Sequence, residues 1–478
     1  MKEGYIEKAK RKKILLLSDD LRMHSGVATM SREIVLGTAH KYNWFQLGAA
    51  LKHPEVGKVI DISDDVNKNC NITDSDVKVM PFEGYGNAMI IRQLLKREKP
   101  DAIFIFTDPR YWTWLFEIER EVRSQVPICW LNIWDDYPAP MYNRNYYNSV
   151  DCLMGISKQT VNINKLVLEE DADSKVIKYV PHGINDKHFF PITSDHALYP
   201  KLVDFKEKTI PNKEIEFLAY FNSRNIHRKR PGDVILSFKL FCDKIGPEAA
   251  KKAGLILHTE ISNPHGTDLR AVKEAIYPEG NIFFSTGKID TPQMNFMYNI
   301  ADVTMLITSN EGWGLSLTES MMTGTMIIPN VTGGMQDQCR FINEKGEWID
   351  FDSDFPSNHR GTYKECGKWA VPVYPSNISL AGSPGTPYIY DDRCNPDDVA
   401  SALEQVFNLS KEERKANGLA GREWAISSEA QMTADQMCKN VIEGIEETFI
   451  NFKPRKRFEV FKADKPQSKK VTHALTGY

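Results

Sequence analysis

The sequence predicts an α/β protein whose parallel sheets are covered by helices on both faces. Short apolar runs alternate with longer stretches whose apolar residues recur at helical spacing, from Lys13 to Ile450. The runs are nearly continuous in Val, Ile, Leu and Phe, as strands buried on both faces require. At 478 residues the chain exceeds what one core fills, so two domains of ordinary size are expected.

Hydrophobic residues make up 41% and charged residues 26%, the composition of a globular protein with no run long enough to span a bilayer. Ile14 to Leu17 is too short for the apolar part of a signal peptide. The eight cysteines form no C-x-x-C pair, which argues against a zinc knuckle or redox motif and favours reduced thiols in a cytoplasmic protein. The net charge of -4 hides an asymmetry, because the stretch from Lys453 to Lys470 carries eight Lys or Arg against two acids. Such a tail is either a solvated end or an electrostatic grip on an anionic partner.

Lys13 to Ser18 reads as a first buried strand. A loop through Asp19, Asp20 and His24 leads to Ser25 and Gly26, and the spacing of Val27, Met30, Ile34 and Val35 opens a helix. Gly26 therefore stands at a helix N-terminus just beyond a strand end, where open α/β sheets bind ligands. Further strands are expected at Asn43 to Gly48, Ala102 to Phe106 and Ile128 to Ile133, with helices from Asn87 to Arg97 and Tyr111 to Val122. The polar stretch Asp61 to Ser75 reads as a surface excursion, and 194–213 as an aperiodic linker. No G-x-G-x-x-G occurs, which weakens a dehydrogenase reading.

Beyond the linker, Glu216 to Phe221 reads as a strand, followed by a basic loop, Arg224 to Arg230, and a helix from Asp233. Strands at Leu255 to Thr259 and Ile282 to Phe284 and a helix from Gln293 to Ile300 continue the alternation. Helical patterns at Asn395 to Phe407, Lys411 to Ala425 and Gln431 to Ile450 close it.

The most informative stretch is Thr308 to Thr325. Glu311 lies where the strand Val303 to Ile307 gives out, Gly312 and Gly314 follow, and Glu319 lies about a turn into the helix starting near Leu315. The glycines let backbone approach a ligand, and the helix start offers free N–H groups to an anion. Two carboxylates flanking such an anion site suit a molecule with phosphate between two polyhydroxy groups, and a nucleotide sugar is one.

This pattern resembles the E-x7-E signature of the retaining GT-B glycosyltransferases of the family 4 type. The resemblance implies two Rossmann-like domains facing a cleft, with Glu311 and the backbone of Gly312, Trp313, Gly314 and Leu315 on the donor sugar and phosphate, and Glu319 on the ribose. Lys229 follows Arg224 at the separation of the Arg and Lys that the family directs at the donor diphosphate, and Gly26 matches the glycine whose N–H faces it. Arg228 and Arg230 are expected to be solvated. After Ile133 the chain reads Trp134, Asp135, Asp136, so Trp134 stands where members commonly have a His. Asp135 is the candidate acceptor-side residue, with Asp136 as its rival. Pro181, His182 and Gly183 resemble the segment ending the family's first domain.

The expected organisation is an acceptor-side domain at 1–193 and a nucleotide-sugar-binding domain at 194–430 carrying an insertion at about 340–391. A helix returning to the first domain and the basic tail fill 431–478. Asp350 and Asp352 have D-x-D spacing, but their position after the E-x7-E helix is wrong for a metal site, so no metal and no cofactor are expected beyond the donor. The make-up of Gly333 to Gln338 resembles that of virus-encoded members, some of which glycosylate hydroxymethylated bases in DNA. Such DNA is the leading acceptor expected, with a glycan, a small molecule or a protein as alternatives and a non-catalytic sugar-nucleotide binder as the reading from another class. The oligomeric state is left open.

Overall fold

A computed structural model describes residues 4–50, 52–359 and 361–456. The first sheet has eight strands: β1 (Lys12–Asp19), β2 (Tyr42–Ala49), β3 (Ile60–Asp61), β4 (Val77–Pro81), β5 (Ala102–Phe106), β6 (Ile128–Asn132), β7 (Cys152–Gly155) and β8 (Val176–Tyr179). Their order is β3-β4-β2-β1-β5-β6-β7-β8, parallel except for the edge pair β3 and β4. β2, β5, β6 and β7 are buried along their whole length, which explains their unbroken apolar character.

The second sheet has the order β11-β10-β9-β12-β13, all parallel, from β9 (Phe217–Asn222), β10 (Ala253–His258), β11 (Ile282–Ser285), β12 (Val303–Leu306) and β13 (Met326–Pro329). In each sheet the chain reverses direction of travel across the sheet at one point, between β1 and β5 and between β9 and β12. The loops leaving β1, β9 and β12 therefore open at crevices beyond strand ends. These loops carry Gly26, the Arg224 to Arg230 segment and Glu311.

The helix Ala434–Asn451 packs back on the first domain. Tyr42 donates to Glu446 at 2.6 Å, Lys178 pairs with Glu447 at 2.6 Å, and a Cβ on Gly37 would overlap the Cys438 Sγ. Most of the basic tail lies outside the described residues. No helix among the described residues is long and apolar enough to cross a membrane.

Several expected elements differ. The supposed linker contains a helix, Tyr199–Thr209, with Leu202 buried against the core; Pro200 in its first turn costs no hydrogen bond there. The supposed excursion is an edge strand plus the helix Ser63–Cys70, anchored by buried Val66. The single helix expected from Tyr111 is two short ones, Thr113–Glu117 and Glu119–Arg123, broken at Ile118.

The stretch 340–391 has two parts. Bridges from Ile327 to Ala370 and from Asn330 to Val373 lay its middle along β13, and Trp369 stacks on Trp424 with ring centroids 5.2 Å apart, so this part belongs to the core. The rest is an antiparallel hairpin, β14 (Asn377–Ser383) and β15 (Thr386–Arg393). It crosses to the first domain, where Tyr390 N donates to Tyr137 O at 2.7 Å and Tyr142 Oη to Tyr388 O at 3.0 Å.

Candidate active site

The loop leaving β12 is stitched to the loop leaving β9. The carbonyl of Arg228 accepts from Ser309 N at 2.9 Å and from the Thr308 hydroxyl at 2.9 Å, so the chain reaches Glu311 with its direction set. Gly314 then caps the helix Leu315–Met322 at φ +87°, a conformation that side chains strain to adopt. Gly312 is required for a different reason. A Cβ there would lie 2.7 Å from the carbonyl of Ile133 and 3.1 Å from Asp135, both in the first domain, so only glycine admits this approach.

Glu311 is the centre of a four-charge cluster. The Lys229 ammonium is in direct contact with its carboxylate, and Arg228 Nη1 lies 3.3 Å from the same oxygen. Arg228 also donates to Asn310 O at 2.6 Å and stands 3.8 Å from Asp135 across the domain boundary. Burial and the neighbouring Arg228 push the Lys229 pKa down, and Asp135 across the domain boundary opposes that shift. Arg228 was expected to be solvated and instead holds Glu311 and Asn310 and faces Asp135 of the first domain. Arg230, also expected to be solvated, pairs with Asp391 of β15 at 2.5 Å. Neither partner is near in sequence, which is why spacing alone assigned these two arginines to solvent.

Arg224 is exposed, and among the described residues its guanidinium has no protein partner. Gly26 is exposed at the start of the helix Gly26–Thr38, which Ser25 caps; a Cβ on it would lie 3.3 Å from Leu315 Cδ1. The first domain's helix start thus faces the second domain's E-x7-E helix start.

Glu319 accepts from Tyr298 Oη at 2.5 Å, and Tyr298 in turn accepts from Asn222 at 2.9 Å. Burial lifts the Glu319 pKa to about 7, and the Tyr298 hydroxyl counters part of the rise. Trp313 contributes only backbone to the loop, because its ring is 2% exposed and donates to Thr318 at 3.1 Å.

Asp135 and Asp136 part company. Asp135 faces Arg228, whereas Asp136 is fully buried and accepts from Tyr137 N, Gln159 and Thr332. Trp134 is buried in the first domain's core and donates to Asp136 O at 2.8 Å, so it does not occupy the cleft in place of a His. His182 is buried between Phe106 and Trp313, and burial lowers its pKa to about 3. Asp350 pairs with Lys158 at 2.9 Å, and the carbonyl of Asp352 accepts from Asn162 at 2.5 Å.

Gly333 to Gln338 is buried throughout and pinned to the first domain. Asp337 accepts from Lys158 N at 2.9 Å and from Tyr179 Oη at 3.0 Å, and Gln336 donates to Gln159 at 3.1 Å. Behind Asp135, the Thr332 hydroxyl lies between two buried carboxyls, Asp136 at 2.9 Å and Asp392 of β15 at 2.6 Å. Burial raises the pKa of both acids. Sequence reasoning missed Arg228, Thr332 and Asp392.

Two domains of parallel sheet facing one another through strand-end loops have clear structural counterparts. A glycosyltransferase from Rickettsia africae ESF-5 superposes with a TM-score of 0.61 at 15% identity, covering 92% of this chain and 99% of the other. The fold is GT-B. Anabaena HepE, solved in complex with UDP-glucose, matches with a TM-score of 0.62 at 12% identity, over 91% of this chain and all of the other. Sucrose-phosphate synthase from Thermosynechococcus elongatus matches with a TM-score of 0.63 at 14% identity, over 92% and 100%. No family model and no curated protein matches the sequence. In this GT-B chain, the E-x7-E helix and the basic loop come from the second domain, and Asp135 and Gly26 from the first.

Proposed function

We propose that the chain is a retaining glycosyltransferase that takes a sugar from a nucleoside-diphosphate sugar and places it on a hydroxyl acceptor. The observation that carries this reading is the contact of Lys229 with Glu311, with Asp135 facing it through Arg228 and Gly26 beside Leu315 at the start of the helix that bears Glu319. One structural neighbour is a glycosyltransferase, and another is solved with UDP-glucose. In this reading Glu319 takes the ribose hydroxyls. Arg224 and Lys229 neutralise the diphosphate, whose charge grows as the sugar bond breaks, and water exclusion by the closed domains strengthens that effect. Glu311 and the backbone from Gly312 to Leu315 hold sugar and phosphate, and Asp135 stands on the acceptor side. The leaving phosphate assists removal of the acceptor proton, so retention needs no carboxylate pair at glycosidase spacing. No metal is assigned a role.

The acceptor to test first is a hydroxymethylated base in DNA. Its support is the composition of Gly333 to Gln338, and since that loop is buried at the domain boundary, it speaks for kinship with DNA-modifying members rather than for contact with an acceptor. Exposed Tyr111, stacked on Tyr85 at 4.0 Å, offers an aromatic face on the first domain, and the Tyr85 hydroxyl donates to Asp19 at the end of β1. The test is transfer of label from a panel of nucleotide sugars to DNA with and without 5-hydroxymethyl bases, beside soluble glycans. Label in modified DNA alone supports the acceptor. Label in glycans keeps the enzyme class and rejects DNA, and no release of sugar from any donor rejects the enzyme.

A further inference from the structure

The four-charge cluster is balanced before any donor arrives. Asp135 and Glu311 face Arg228 and Lys229, two carboxylates against two cations. A diphosphate entering here needs cations, yet Lys229 is engaged with Glu311, and among the described residues the Arg224 guanidinium has no protein partner. For Lys229 to reach a phosphate, its contact with Glu311 must break. That would leave a poorly solvated carboxylate, 13% exposed, which is costly unless another donor holds it.

Arg228 is that donor. Its Nη1 is already 3.3 Å from the same Glu311 oxygen, and its backbone carbonyl is fixed by Ser309 and Thr308. A guanidinium carries five N–H groups in a planar fork, so it can keep Asn310 O and take the carboxylate fully at once, which a single ammonium does less well. We propose that Arg228 is a positioning residue that holds Glu311 when Lys229 is handed over to the donor diphosphate.

The inference rests on the nucleotide-sugar reading and is tested separately from it. Binding of UDP, GDP and ADP is measured by calorimetry, and the tightest is used throughout. Arg228→Ala is expected to weaken that nucleoside diphosphate by about tenfold, because Lys229 stays locked on Glu311. Arg228→Lys recovers part of the loss. The decisive comparison is Arg228→Ala made in the Lys229→Ala protein: if Arg228 acts by releasing Lys229, the added substitution is expected to cost less than about twofold beyond Lys229→Ala alone. A loop that had merely collapsed would cost the same in either background. If Arg228→Ala binds as wild type does, or weakens the Lys229→Ala protein as much as it weakens wild type, the hand-over is wrong. If the wild-type protein binds none of the three diphosphates, the functional reading itself falls and takes this one with it.

Discussion

Thr332 of the second domain places its hydroxyl oxygen 2.9 Å from the carboxyl of Asp136 in the first. The same oxygen is 2.6 Å from Asp392, and a hydroxyl has one proton to give. Asp136 also accepts from Tyr137 N and Gln159, and Asp392 from Ser357 and Asn358, so the pair rather than either acid by itself keeps the further proton.

A pH dependence follows. Both acids have raised folded-state pKa values, so the folded protein binds more protons than the unfolded one above the ordinary carboxylate range. Their contribution to stability is complete below that range and declines as pH rises toward the folded values. Asp392→Asn keeps a donor for Thr332 without a titrating proton. Its melting temperature should fall less than that of wild type between pH 5 and 8, with a stability slope shallower by up to about 1.4 kcal/mol per pH unit. Glu319 and Asp337, both lifted to about 7 by burial, add the same slope to both proteins and cancel in the comparison. Parallel melting curves across this range would refute the shared proton.

The Tyr298 hydroxyl, 2.5 Å from Glu319, should tune donor binding. If the Glu319 carboxylate takes ribose hydroxyls, donor affinity declines as pH falls through about 7. Tyr298→Phe removes a hydrogen bond that stabilises the anion, so the midpoint of this decline should move to higher pH. A titration of donor affinity against pH for the two proteins decides it, and coincident curves would count against the role.

Lys229→Ala should lower turnover by roughly 10²- to 10³-fold, the scale for losing one charge partner of a transition state. Steady-state rates with saturating donor provide the check. A near-normal rate would mean that the clamp is assigned wrongly.

Removing the hairpin is expected to separate donor chemistry from transfer. Its outer strand β14 is largely exposed, Leu380 at 64%, whereas Asp391 and Asp392 on β15 hold Arg230 and Thr332. Replacing 378–388 by a short Gly-Ser turn should leave donor hydrolysis intact and reduce transfer by about tenfold or more, through misplaced acceptor. Unchanged transfer would remove the hairpin from acceptor binding.

The alternation of apolar runs determined the two parallel sheets, because a strand buried on both faces must be apolar at every position. The placement of Glu311 and Glu319 was equally legible, since a strand end, a glycine turn and a helix start convert sequence separation into position. Helix Tyr199–Thr209 was hidden by its Pro and Lys content, and it buries one face only because the second domain is there to receive it. Tertiary structure alone decided which charges meet. Arg228 reads as one more basic residue in a loop until Asp135, 93 positions earlier, arrives from the other domain. Asp136, Thr332 and Asp392 likewise share a proton only because three distant segments close over them and exclude the water that would have served each one separately.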